Sequence, residues 1–323
     1  MDSFTIVAIL TYICTPISLF LNVLLILVVS RYSAKYLIPY RHPLSLTAAA
    51  NVALSVWYML SQQTFVLRQR ILFVFILGPL RFTPQIACYA VELINIALFL
   101  FTCHQPLLIF VYRYKIIFSP KVRTPLRIYL VALTTFASYL LVAFLYVFFT
   151  RAAITSSDEA KYRRWAKEIR KIPETTYLIH ETDASGKALS LILFMFLLTG
   201  YVAMYAMHGL ISHRLKTSKN AVSHSRTLQM ARAIILMATG TCLIGFLPYS
   251  VMLLSVVFNV ELSMWSIPVF LGSAFMPILA PITIFYKVDA YRSSLRAIIV
   301  KFCRRHEVNA TKVEQRPAQA WPK

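Results

Sequence analysis

The residue types able to do chemistry in this chain are few, and most lie in one apolar run. Glu92 is the one carboxylate set well inside a hydrophobic stretch. Asn95, Phe99, Thr102, Pro106, Phe110 and Arg113 follow it at i+3/i+4 steps, which places them on one face of a helix. Arg113 comes 21 residues after Glu92, a rise of ~32 Å, about the thickness of a bilayer's hydrocarbon core. An acid inside a membrane span is costly and marks a functional site or a paired charge. Three roles are open for Glu92: reaching water or an arginine of the preceding loop (Arg68, Arg70 or Arg81), touching a ligand, or hydrogen-bonding another helix. His104 and Gln105 lie ~14 Å from Arg113 along the same helix. They suit hydrogen bonds to neighbouring helices, with a ligand or proton role as the alternative. Pro106 follows them and can kink the helix.

Other chemistries find no residues to carry them. The five cysteines, Cys14, Cys88, Cys103, Cys242 and Cys303, fall in or beside apolar segments, with no CxxC and no clustered His/Cys spacing. Neither a metal site nor a disulfide framework is expected. No carboxylate pair or triad suggests an enzyme, and no cofactor is implied.

The elements that must position Glu92 and Arg113 follow from composition. Hydrophobic residues make up 59% of the 323, and charged ones only 14%, which indicates a polytopic membrane protein. The net charge of +21 sits in short segments between apolar runs, so it reads as topology and excludes a nucleic-acid footprint. Seven segments are long enough to span: about 5–30, 43–64, 85–111, 127–150, 188–211, 230–258 and 264–286. The first lacks the basic n-region of a cleaved signal peptide and is expected to be retained. A further run, "ILFVFILG" at 71–78, is too short to span and is expected in a loop at the membrane surface. No internal repeat is visible.

Loop charge orients the spans. The segments 31–42, 112–127, 212–232 and the tail from 287 carry 22 of the 33 Lys and Arg, against 11 in the alternate set. Eight of those 11 lie in the long loop 151–187, beside six acids. The expected fold is an all-α membrane protein, a seven-transmembrane helix bundle with the N-terminus outside and the C-terminus cytoplasmic. Residues 1–287 would form the transmembrane domain and 288–323 a cytoplasmic basic tail. In that tail Val288, Tyr291, Leu295, Ile298 and Phe302 share one face among Arg292, Arg296, Lys301, Arg304 and Arg305. This is an amphipathic helix suited to the anionic lipids of the inner leaflet. Cys303 is a weak candidate for lipidation.

Several motifs resemble those of G-protein-coupled receptors: the Arg113-Tyr114 pair ending span three, "GFLPYS" with Pro248 in span six, and "PITIFYKVDAYR" ending span seven. The pattern is most similar to the nematode serpentine chemoreceptors, with the delta class the best fit. "QQ" at 62–63 with "RQR" nearby, "GPLRFTPQIACY" (78–89), "YRYKIIFSP" (112–120) and "PITIFYKVDAYR" (281–292) carry it, and it covers nearly the whole chain. The chain departs from the broader receptor pattern in several places. Tyr112 stands where an acid would lock Arg113, span two has no aspartate, loop 151–187 has no cysteine to tether Cys88, and Ala280 precedes Pro281.

The resemblance implies a chemosensory receptor, in olfaction or a related sense, that binds a small molecule and activates a heterotrimeric G protein. It implies the plasma membrane, and a sensory cilium, as its location. Candidate ligand contacts are Glu92, Asn95, Phe99 and Tyr249, in an outer pocket among spans three, five, six and seven. Candidate coupling residues are Arg113, Tyr114, Pro248, Pro281, Tyr286, Tyr291 and Arg292. Read without the resemblance, Arg113 is also an ordinary interfacial arginine, and the two prolines are tolerated kinks. A ligand-gated channel would need the opposite orientation. A transporter would show midplane charges or paired repeats.

Overall fold

A computed structural model describes residues 3–33, 35–118, 125–151, 161–162, 164–165, 168, 177–216, 221–261 and 266–314. Among the described residues, eight long helices follow one another: α1 (Ser3–Arg31), α2 (Arg41–Ser61), α3 (Gln85–Phe118), α4 (Pro125–Thr150), α5 (Ala184–Lys216), α6, α7 (Ser266–Lys287) and α8 (Asp289–Glu314). A 3-10 helix, Lys35–Tyr40, leads into α2. The sixth helix, α6, runs from Ala221 to Thr241, loosens into a π-helical turn at Cys242–Phe246, and continues from Leu247 to Phe258.

Among the described residues, six helices are long and apolar enough to cross a membrane, and Ala274–Lys287 of α7 supplies a further apolar helix. Phe20, Leu133, Phe148, Ile192 and Val202 point outward, each more than half exposed. So much outward apolar surface suits lipid and not water. The chain is a multi-pass membrane protein built as a seven-helix bundle.

Inside the bundle the helices are tied by polar side chains. Asn22 of α1 donates from Nδ2 to the Pro277 carbonyl of α7 at 2.9 Å, and its Oδ1 accepts from Asn51 Nδ2 of α2 at 3.3 Å. Ser18 and Ser55 hydroxyls meet at 2.6 Å beside them. The chemical origin of this clamp is Pro281. With no N–H, it cannot donate to the carbonyl four residues back, which is that of Pro277, and the asparagine amide takes that place.

The π turn in α6 has a similar cause. The Leu247 N–H bonds the Cys242 carbonyl, five residues back, and Pro248 follows, unable to donate to Ile244. This loosened segment packs closely on α7. A Cβ placed on Gly245 would lie 2.6 Å from Met276 Sδ, so a larger residue there would have to push the Met276 side chain aside.

The run at 71–78 is not a loop. Strand β1 (Gln63–Arg68) and β2 (Ile71–Ile76) form an antiparallel hairpin, and β3 (Tyr177–Glu181) pairs with β2 in the order β1-β2-β3. The connecting residues Gln69 and Arg70 both have positive φ, 48° and 65°, as a two-residue hairpin turn of matching twist requires. Neither is a glycine or an asparagine, which is why the turn is hard to see in the sequence. Leu72, Val74 and Ile76 join the bundle core, while Ile71, Phe73 and Phe75 form a second cluster with Tyr162 and Trp165. With both faces covered, β2 reads as an unbroken apolar run without alternation.

The first turns of α8 dock on the bundle. Val288 and Tyr291 are buried, Leu295 and Ile298 pack against the core, and the Tyr291 hydroxyl meets Ser33 Oγ at 3.1 Å. The side chains of Phe302, Cys303, Arg304 and Arg305 lie outside the described residues.

Candidate functional site

Four groups of residues lie along α3. At the sheet end, Glu92 Oε2 meets His180 Nε2 of β3 at 2.7 Å, with both side chains 1% exposed. His180 Nδ1 lies 2.7 Å from Thr150 Oγ1 of α4. The Thr150 hydroxyl donates to the Tyr146 carbonyl at 2.6 Å, so its single hydrogen is spent and it accepts from Nδ1–H. One proton then lies between Nε2 and Oε2, and the pair is neutral whichever partner holds it. Tyr89 and Tyr146 rings flank the imidazole. Arg68, an expected partner of Glu92, instead pairs with Glu168 at 3.0 Å on the surface and covers the Trp165 ring.

One helical turn further along α3, Asn95 and Phe99 face a cavity of about 30 Å³. Tyr249 of α6 is beside Phe99, ring centroids 4.7 Å apart. The other walls come from α1, α2, β1 and α7, with Gln62 and Gln63 at the α2–β1 junction. Spans three, six and seven of the pocket anticipated from the sequence line the cavity, and among the described residues its remaining walls come from α1, α2 and β1, with none from α5. Glu92 is close by in sequence but is not one of its lining residues; its carboxylate is turned to His180. Asn95 Nδ2 donates to Gln63 Oε1 at 2.6 Å.

Mid-helix, His104 bonds the Leu100 carbonyl of its own helix at 2.9 Å and stacks on Tyr139 of α4. A Cβ on Gly200 of α5 would lie 2.0 Å from His104 Nε2, so α5 approaches the ring directly. Gln105 Oε1 accepts from Thr47 of α2 at 3.1 Å. These two polar groups join helices and do not face the cavity.

At the far end of α3, Arg113 is fully buried, with the Tyr40 side chain of the 3-10 helix beside it. A buried guanidinium needs such partners, and here a phenol hydroxyl answers where Tyr112 has displaced the usual acid. Tyr114 and Pro248 are half-buried and Pro281 is buried. Tyr286 is 64% exposed on the outside of α7 with Lys287 over its ring. Arg292 pairs with Asp289 one turn earlier in α8. Sequence reasoning passed over His180 and Tyr40 as site residues. Both lie in connections, and nothing local announces which helix they meet.

No curated protein matches the chain. The fold is similar to that of squid rhodopsin in its crystal structure, with a TM-score of 0.62 at 13% identity, over 98% of this chain and 92% of that one. The model of the serpentine type 7TM GPCR chemoreceptor Srd family matches residues 7–297. With that match spanning most of its length, the chain belongs to the serpentine type 7TM GPCR chemoreceptor Srd family.

Proposed function

We propose that this receptor takes a small molecule into the cavity beside Asn95, Phe99 and Tyr249 and signals to a heterotrimeric G protein at the Arg113 end. The loop charges support an extracellular N-terminus and sheet, with α8 and the basic tail in the cytoplasm against anionic lipid, at the plasma membrane. Residues 1–287 are then the transmembrane domain and 288–323 the tail. The observation that carries the reading is that α3 bears both ends of the path. Asn95 lines the cavity, and Arg113, ~27 Å away along the helix, is buried against Tyr40.

The moving part is α6. Tyr249 follows Pro248 and the π turn directly, so a ligand pressing on its ring acts on a helix whose backbone ladder is already broken. A shift there changes the packing of α6 on α3 and α7 and opens the cytoplasmic end. Arg113 and Tyr114 then become available to the G protein, while Pro281, Tyr291 and Arg292 hold α7 and α8 in register. A ligand acts by binding the open arrangement better than the closed one.

The test is expression in reporter cells challenged with volatile and water-soluble compounds, read through several G-protein outputs, with an N-terminal epitope stained on intact cells. A surface-readable epitope and a saturable, receptor-dependent output are expected. An intracellular epitope, or saturable solute uptake or current without G-protein output, overturns the proposal.

A further inference from the structure

We infer that the cavity selects a small uncharged molecule carrying a carbonyl or hydroxyl oxygen, read by the side-chain amides of Gln62, Gln63 and Asn95. This inference rests on the cavity being the ligand site.

Three amides converge on one small space, and all are buried, with Gln62 3%, Gln63 8% and Asn95 6% exposed. The Asn95–Gln63 bond orients two of them. Gln62 Nε2, Gln63 Nε2 and Asn95 Oδ1 have no hydrogen-bond partner among the described residues. Rotating the Gln63 and Asn95 amides together keeps their mutual bond and still leaves one donor and one acceptor open. Buried polar groups are nearly always satisfied, and leaving one unpaired is costly, so such a cluster awaits an occupant.

The backbone is shaped to present them. Gln62, the residue that ends α2, and Gln63, the first of β1, both line the cavity. Gln62 makes this possible by adopting the left-handed conformation, φ 43° and ψ 55°, with its N–H on the Tyr58 carbonyl. The same conformation ends α2 and turns the chain into β1, which sets the two glutamines side by side.

The remaining walls decide the charge of the occupant. Tyr58, Phe65, Phe99 and Tyr249 supply aromatic surface, and none of the described lining residues is charged. An ion entering would lose its hydration with no charged side chain on that lining to replace it, the Glu92 carboxylate being engaged by His180, whereas a neutral oxygen exchanges water for the amide donors. The volume of about 30 Å³ has room for about two waters, so the occupant is small and displaces them.

The test uses the full-length receptor in lipid nanodiscs and a small matched series that a two-water space can take: acetone, propan-2-ol, propane, isopropylammonium and acetate. Binding is read by ligand-detected NMR and by thermal stabilisation. The ketone and alcohol are expected to bind, with the two ions about tenfold weaker or more. Gln62→Leu is expected to lower ketone affinity about tenfold while leaving the empty receptor as stable or more so, because it removes an unpaired buried amide. Gln62→Glu is expected to shift preference toward the ammonium.

Ions binding as well as the ketone, Gln62→Leu without effect on ketone affinity, or neither the ketone nor the alcohol bound at ~10 mM overturns the inference. The two readings fail separately. Gln62-dependent binding without any G-protein output sinks the receptor function and leaves the selectivity standing. Output from a cue whose potency ignores Gln62 does the reverse.

Discussion

Glu92 of α3 and His180 of β3 are joined by a 2.7 Å contact between two fully buried side chains, and through it the sheet is fastened to the helix that runs from the cavity to Arg113. Either residue alone would be an unpaired polar group in a dry interior. Together with Thr150 they form a chain that joins α3, β3 and the end of α4.

The pair should therefore behave as a unit. Glu92→Leu or His180→Leu alone is expected to destabilise the receptor by about 3–5 kcal/mol, because each strands its partner. The double substitution should cost far less than the sum of the two. Thermal unfolding of the four proteins in detergent gives the cycle, and strict additivity would show that the contact is not formed.

On the proposed mechanism, the Tyr40 side chain beside Arg113 favours the closed arrangement, so removing its hydroxyl should release signalling. Loss of a hydrogen bond of ~1 kcal/mol shifts a two-state balance about fivefold. Tyr40→Phe is thus expected to raise ligand-independent output about fivefold, and Arg113→Ala to abolish output while receptor still reaches the surface. Unchanged basal output in Tyr40→Phe sinks this account.

The clamp of Asn22 on Pro277 exists because Pro281 lacks an N–H. Asn22→Leu should cost about 1–3 kcal/mol by stranding the Pro277 carbonyl and the Asn51 amide. Adding Pro281→Ala restores a backbone donor to that carbonyl and should recover part of the loss. Unfolding temperatures of the single and double variants decide it, and a double variant no better than Asn22→Leu would disprove the explanation.

Asp183 caps α5 in an exposed turn. Its carboxylate accepts from the Gly186 N–H at 2.8 Å and the Ser185 hydroxyl at 2.7 Å, and these bonds, the Gly186 one foremost, hold its pKa below the usual carboxylate value. A group with a depressed folded pKa stabilises above its unfolded pKa and loses that contribution as pH falls through the folded one. Asp183→Ala is expected to cost about 1 kcal/mol at neutral pH. The gap from the unsubstituted receptor should close as the pH is lowered through and below the carboxylate range. A gap that stays constant with pH would assign the effect to something other than the cap.

A seven-helix membrane protein is legible from the amino acids alone, because about twenty apolar residues between basic loops leave few other solutions in a bilayer. So is the face of α3 that carries Asn95, Phe99 and Arg113, since helical spacing alone puts them in line. The partners were decided only by the tertiary structure. His180 reaches Glu92 across 88 positions of sequence, and Tyr40 reaches Arg113 from the preceding connection. The sheet was hidden for a physical reason as well. Its turn uses Gln69 and Arg70 in place of glycine or asparagine, and its central strand is covered on both faces, so neither turn chemistry nor alternation could announce it. The same packing extended the cavity to α1, α2 and β1, where the paired glutamines close it, a placement set by how the hairpin folds over the bundle and by no local run of residues.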